Sequence, residues 1–270
     1  MANIHLTTAT AGHTLPAVRR IGSKDLDWAL SQGWRDFREL RGDIVFLPLV
    51  YPVAGFFALV LAVNASFVPM VFPAVAGLSI LGPAVSAGFY ELARRRDEGL
   101  DLTWTHFFDP LRGRRGAELL LLTLGLAILF ALWLTAAQLL YRATVGAGYR
   151  TTVDATDELS LMAFLHALFG TAAGWTMIIV GNLIGFVFAA ATLVLTFVSF
   201  PMVVDGRGSA ATAVLTSLRA ARLNPATTVG WGLRVAVLLA LGCLPLFIGL
   251  PIVLPVLGYA TWRLYTRIVS

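Results

Sequence analysis

Residues 117–141 read AELLLLTLGLAILFALWLTAAQLLY. Glu118 is the one charged side chain in the stretch, and Leu119-Leu120-Leu121-Leu122 leads it. A helix needs about 20 mostly apolar residues to cross the hydrocarbon core of a bilayer, and this run supplies them. Working outward, five further runs meet the same requirement: Ile44–Val63, Phe67–Phe89, Gly174–Phe200, Thr227–Phe247 and Gly249–Ile268. The link Asn64-Ala65-Ser66 makes the first two a tight hairpin, and a second tight turn falls near Pro245 to Pro251. Six spans place both termini on the same side of the membrane. The expected fold is an all-α membrane protein of about six transmembrane helices.

Composition agrees with that reading. Hydrophobic residues make up 58% of the 270 and charged residues 13%, against roughly 25% charged in an average soluble domain. Mean hydropathy is +0.80. A soluble enzyme, a disordered chain and a disulfide scaffold are all excluded. The single cysteine, Cys243, offers no intrachain disulfide and no cysteine-based metal site. The first long apolar run begins at Ile44, later than in a secretory signal. Residues 1–22 read as a flexible tail and 23–270 as one polytopic membrane domain.

Orientation follows from the placement of Lys and Arg. Six precede the first span: Arg19, Arg20, Lys24, Arg35, Arg38 and Arg41. The link between spans two and three carries Arg94, Arg95, Arg96, Arg112, Arg114 and Arg115. Of all 20 Lys and Arg, only Arg142 and Arg150 fall on the other side, beside Asp154, Asp157 and Glu158. The basic side is read as cytoplasmic, which places the chain in a bacterial inner membrane with both termini inside and residues 142–158 outside. The net charge of +5 reflects this topology rather than nucleic-acid binding.

A short amphipathic segment precedes spans one, three and five. In residues 23–40 the apolar positions are Leu26, Leu30, Trp34, Phe37 and Leu40, which share one helical face. The second segment, 102–111, carries Trp104, Phe107, Phe108 and Leu111. The third, 209–223, presents Ala211, Val214, Leu218 and Ala221. It stops at Asn224-Pro225 because a residue before proline avoids the helical region. These are expected as cytoplasmic interfacial helices that brace the spans. The pattern reads either as a threefold unit (23–91, 101–205, 209–270) or as the need of any multispan protein for such helices. An insert after span three holds a helix, 159–169, too short to span.

The chain carries no recognisable hydrolase, nucleotide-binding or dithiol motif. His5, His13, His106 and His166 cannot pair across a bundle as haem ligands. No enzyme activity, cofactor or metal is expected. Intramembrane polar residues are few, and such residues usually have a function. Arg234 lies early in span five and either snorkels toward the cytoplasm or pairs with Glu118 or Asp43. Asn182 is read as bridging helices. Gly181, Gly185 and Ala189 form a stripe of small residues suited to close helix contact, within the chain or with a partner.

Two stretches carry a resemblance: Phe200-Pro201-Met202-Val203-Val204-Asp205, followed by Ser209 to Arg222 and Asn224-Pro225, and the N-terminal Asp27 to Phe37. They resemble a bacterial family of multispan membrane proteins of unknown function, some labelled cytochrome c oxidase subunit-like. More loosely, the alternation of amphipathic helix and span is similar to the membrane domain attached to some bacterial glycerophosphodiester phosphodiesterases. The resemblance implies no catalytic residues, and the oxidase label is compatible only with an accessory role. The expected function is a non-catalytic accessory or assembly subunit of an inner-membrane complex, respiratory or otherwise bioenergetic. The alternatives are a small transporter or channel, or a lipid-handling membrane protein. The expected partners are the lipid bilayer and other membrane subunits or further copies of the chain, and no nucleic acid.

Overall fold

The computed structural model describes residues 15–39, 73, 82–146, 161–244 and 248–269. The elements in chain order are α1 (Ser23–Glu39), α2 (Gly82–Val85), α3 (Ala87–Asp97), a 3-10 segment η1 (Trp104–Leu111) and α4 (Gly113–Ala143). They continue with α5 (Leu161–Gly170), α6 (Ala172–Thr196), α7 (Ser199–Val204), α8 (Ala210–Leu223), α9 (Pro225–Cys243) and α10 (Leu250–Ile268). Among the described residues the only β-pairing is an isolated antiparallel bridge between Val18 and Val269.

Among the described residues three helices are long and apolar enough to cross a membrane: α4, α6 continued through α7 as Ala172–Val204, and α9. The expected first span and, Pro73 aside, residues 67–81 of the second lie outside the described residues. Helix α10 covers the expected sixth span but is not one of the three. Its last turns carry Arg263 and Arg267, and most of its second half is buried against other helices. A tight connection near Gly249 joins α9 to α10, with the Gly249 N–H donating to the Gly242 carbonyl at 3.2 Å.

Helix α4 is apolar all round, so pattern alone does not say which face packs. Its buried residues are Leu119, Leu122, Leu126, Trp133 and Ala137, at spacings that keep to one face. Leu120, Leu121, Leu124, Ile128, Leu132 and Leu139 stand exposed on the others. Trp133 anchors the packed face, donating from Nε1 to the Pro73 carbonyl at 2.7 Å.

The join between α6 and α7 has an identifiable cause. Pro201 has no N–H for the carbonyl of residue 197 and disrupts the ladder one turn behind itself. The Val198 N–H would ordinarily bond to the Val194 carbonyl. Instead Ser217 of α8 inserts its hydroxyl between them, accepting from Val198 N at 3.3 Å and donating to Val194 O at 2.8 Å. Ser217 is fully buried, so removing the hydroxyl takes the partner from a buried N–H and from a half-buried carbonyl. Ser217→Ala is therefore expected to lower stability by about 1–3 kcal/mol. Unfolding in detergent measures it, and an unchanged midpoint would contradict the assignment.

Four helix ends converge at one end of the bundle: the starts of α4 and α9 and the ends of α7 and α10. Helices α1, α3 and α8 and segment η1 pack among them. The three amphipathic segments expected from the sequence are helical here, as α1, η1 and α8. Their buried faces overlap the expected ones, with Leu26 and Ala221 buried and Leu30, Phe37, Phe107 and Val214 packed against the core, but are shifted toward smaller residues. Helix α1 buries Leu26, Ala29, Gly33 and Asp36, while Trp34 is 46% exposed. Helix α8 buries Ala210, Ala213, Thr216, Ser217, Ala220 and Ala221 and leaves Ala211 exposed. Small residues set both contacts because they let backbones approach closely. A Cβ added at Gly33 would lie 2.6 Å from the Ala260 nitrogen.

The far end of the 1–22 segment is held. Arg19 N donates to Ile268 O at 2.8 Å, and Ile21 N donates to the Asn224 side chain at 2.8 Å. Asn224 Nδ2 donates in turn to Arg19 O at 3.1 Å. Asn224 thus ends α8 and also ties the N-terminal segment to the bundle.

Candidate functional site

Charge gathers where the helix ends converge. Among the described residues two carboxylates are buried, Asp36 of α1 and Glu91 of α3, each 1% exposed. Asp36 accepts from Arg96 of α3 and from Arg263 Nε of α10, the latter at 2.7 Å. Arg263 continues to Asp97 at 2.5 Å, and Asp97 also accepts from Trp262 Nε1 at 2.9 Å. Arg96 reaches Glu39 as well. One chain of charges therefore binds α1, α3 and α10 together. Glu91 takes two bonds from Arg94, at 3.0 and 2.6 Å, with Arg95 and Arg115 at 3.8 and 3.9 Å.

Around this centre lie further pairs. His106 sits between Asp109, 2.6 Å from Nδ1, and Asp101, 3.1 Å from Nε2. Asp205 accepts from Tyr265 and pairs with Arg207, both at 2.6 Å. Arg267 pairs with Asp25 and lies 3.7 Å from the Trp28 ring centre, a cation–π arrangement. The Gly22 N–H, with Arg267 beside it, holds the Asp25 carboxyl below its ordinary value near 3.8. Chemically this is a clamp: buried charges are matched by bidentate or shared arginines, as burial demands.

The residues singled out in the sequence divide between this end and the spans. Arg234 pairs with Asp27 of α1 at 2.6 Å and donates to its own helix at Gly230 O, 3.2 Å away. Asp27 is neither of the two carboxylates expected as partners. Glu118 is engaged elsewhere, accepting from the Ala210 N–H at the start of α8 at 2.7 Å, and Asp43 lies outside the described residues. Arg234 reaches Asp27 because its side chain points back along α9 toward the helix N-terminus. Sequence reasoning did not find Asp36 or Glu91. The available signal was Asp36 three positions after Gly33, on the small-residue face of α1.

On α6 the stripe of small residues splits. A Cβ at Gly181 would meet Leu140 at 3.4 Å, and one at Gly185 would meet Trp133 at 3.0 Å, so both glycines face α4. Ala189 is exposed. Asn182 is exposed too, and its Nδ2 donates to Ile178 O of its own helix at 2.7 Å. It bridges to no other helix among the described residues. Ile179, Leu183, Phe186 and Val187 are exposed beside it.

No curated protein and no solved structure matches the chain. The oxidase-like label finds no support, whereas the membrane character does. Residues 70–205, half of the chain, match the family described as predicted integral membrane protein (DUF2189), and the chain belongs to that family.

Proposed function

We propose that the protein is a non-catalytic accessory or assembly subunit of a bacterial inner-membrane complex, acting by contact with another membrane protein through the outer face of α6. The observation that carries this is Asn182. At about 1.5 Å of rise per residue it stands roughly 15 Å into the helix, exposed among Ile179, Leu183 and Phe186. An amide carbonyl facing hydrocarbon is costly, and a neighbouring helix that donates to it removes the cost.

Five threonines of the described spans support a role without a solute path. Thr123, Thr135, Thr176, Thr192 and Thr196 each donate to a carbonyl of their own helix. They are satisfied locally. In this reading the chain crosses the membrane six times, with α10 and the runs 44–63 and 67–89 completing the count. In the same reading the ion-paired end and both termini face the cytoplasm, which the distribution of arginine supports, and α1, η1 and α8 lie at the interface.

The test is Asn182→Leu. Because the side chain is exposed, the variant is expected to fold and unfold like wild type. Association with the partner is expected to weaken several-fold, from the loss of one interhelical hydrogen bond. A variant that keeps wild-type association removes Asn182 from the contact.

A further inference from the structure

A groove of about 530 Å³ opens sideways between α4, the α6–α7 join and α8, lined by Leu121, Gly125, Leu195, Ser199, Val214 and Leu215 among others. Its few polar groups are already used. Thr196 donates to Thr192 O at 2.7 Å and Ser199 to Leu195 O at 2.8 Å. A polar solute would find no free donor there, so the walls suit hydrocarbon. Leu121 and Leu215 at the mouth are exposed and continuous with Leu120, Leu124 and Ile128 on the outer surface of α4. The groove therefore opens where a bilayer's acyl chains lie.

Two arginines stand on the faces that line it. Arg114 precedes Leu121 by seven residues on α4, and Arg219 follows Leu215 by four on α8, so each shares a helical face with a groove residue. Both are exposed, and neither has an ion pair among the described residues. Arg222, seven residues after Leu215 on α8, is likewise exposed and without an ion pair among the described residues, whereas Arg115 lies near Glu91, Arg112 pairs with Asp109 and Arg207 pairs with Asp205. We propose that the groove holds one acyl chain of an anionic phospholipid whose phosphate is taken by Arg114 and Arg219. This is independent of the contact proposed for α6.

The test uses phosphatidylglycerol and phosphatidylcholine of identical chains, added to delipidated protein in mild detergent, with bound lipid counted by native mass spectrometry. Wild type is expected to retain phosphatidylglycerol over phosphatidylcholine by about tenfold or more. Arg114→Gln with Arg219→Gln is expected to cut the preference several-fold while leaving chain binding. Nothing lies within 4 Å of a Cβ at Gly125, so Gly125→Leu is expected to fill the groove, fold normally and lose both lipids. Ala211→Leu fills it from the α8 side as a second variant. Equal retention of the two lipids by wild type, or wild-type lipid binding in a folded Gly125→Leu protein, overturns the proposal. So does recovery of wild type with a protein subunit protecting the groove and no lipid bound.

Discussion

Asp36→Ala is expected to lower stability by about 3 kcal/mol, because removing one partner of a buried ion pair leaves the other charge uncompensated. Two guanidinium groups depend on this carboxylate, Arg96 from α3 and Arg263 from α10. Their side chains are 25% and 15% exposed. They cannot turn fully to solvent without leaving the packed end, and each keeps only one other carboxylate, Glu39 or Asp97. The loss should therefore lie at the lower edge of the range for a wholly buried charge. Asp36→Asn retains an acceptor oxygen and is expected to lose about half as much. Chemical unfolding in detergent at neutral pH checks both, and a wild-type midpoint for Asp36→Ala would dissolve the clamp as a stabilising element.

Gly33→Val is expected to have an effect of similar size through a different mechanism. A Cβ at Gly33 meets the Ala260 nitrogen at 2.6 Å and both Ala260 Cβ and Val256 O at 2.7 Å. These atoms belong to backbone or to a Cβ, and neither can swing aside, so α1 and α10 must separate. Overpacking costs roughly 1–3 kcal/mol on its own. Separation would also lengthen the Asp36–Arg263 bond one turn along α1, which adds to the loss. The two substitutions touch one interface, so the Gly33→Val, Asp36→Ala double variant is expected to lose less than the sum of the singles. Gly22→Ala, where nothing lies within 4 Å of a new Cβ, is the neutral comparison. Additive losses would show that helix contact and ion pair act separately.

Local pattern made much of the helical layout legible. The run 117–141 sits inside α4, the stop at Asn224-Pro225 is the end of α8, and the short helix of the insert appears as α5. What hydrophobicity alone placed imprecisely was the centre of each contact face. It selects bulky residues such as Trp34, whereas the helices meet along Ala29, Gly33 and Asp36, where backbones approach. Helix α10 carries a related feature that hydrophobicity did not show. Its apolar first half resembles a span, but Tyr259 to Ile268 pack into the charged end. The clamp itself was beyond local reading. Arg96 and Arg263 are 60 and 227 residues from Asp36, and no periodicity links them. The same holds for Arg234, whose partner Asp27 lies 207 residues away on another helix rather than on the nearest plausible carboxylate. The contact proposed for α6 uses the helix that carries the stripe of small residues. Only the structure separates the inward Gly181 and Gly185 from the outward Asn182.

The claim that this chain works by contact through that outer face meets its most direct test in the mass of the purified particle. Wild type and Asn182→Leu, extracted from native membranes in mild detergent, are compared by native mass spectrometry with their unfolding midpoints measured alongside. The account predicts that wild type carries a second membrane protein or a second copy of itself at fixed stoichiometry. It predicts that Asn182→Leu, equally stable, is recovered largely without it. A wild-type particle of one chain with lipid alone, or a variant that keeps its partner in full, would contradict it.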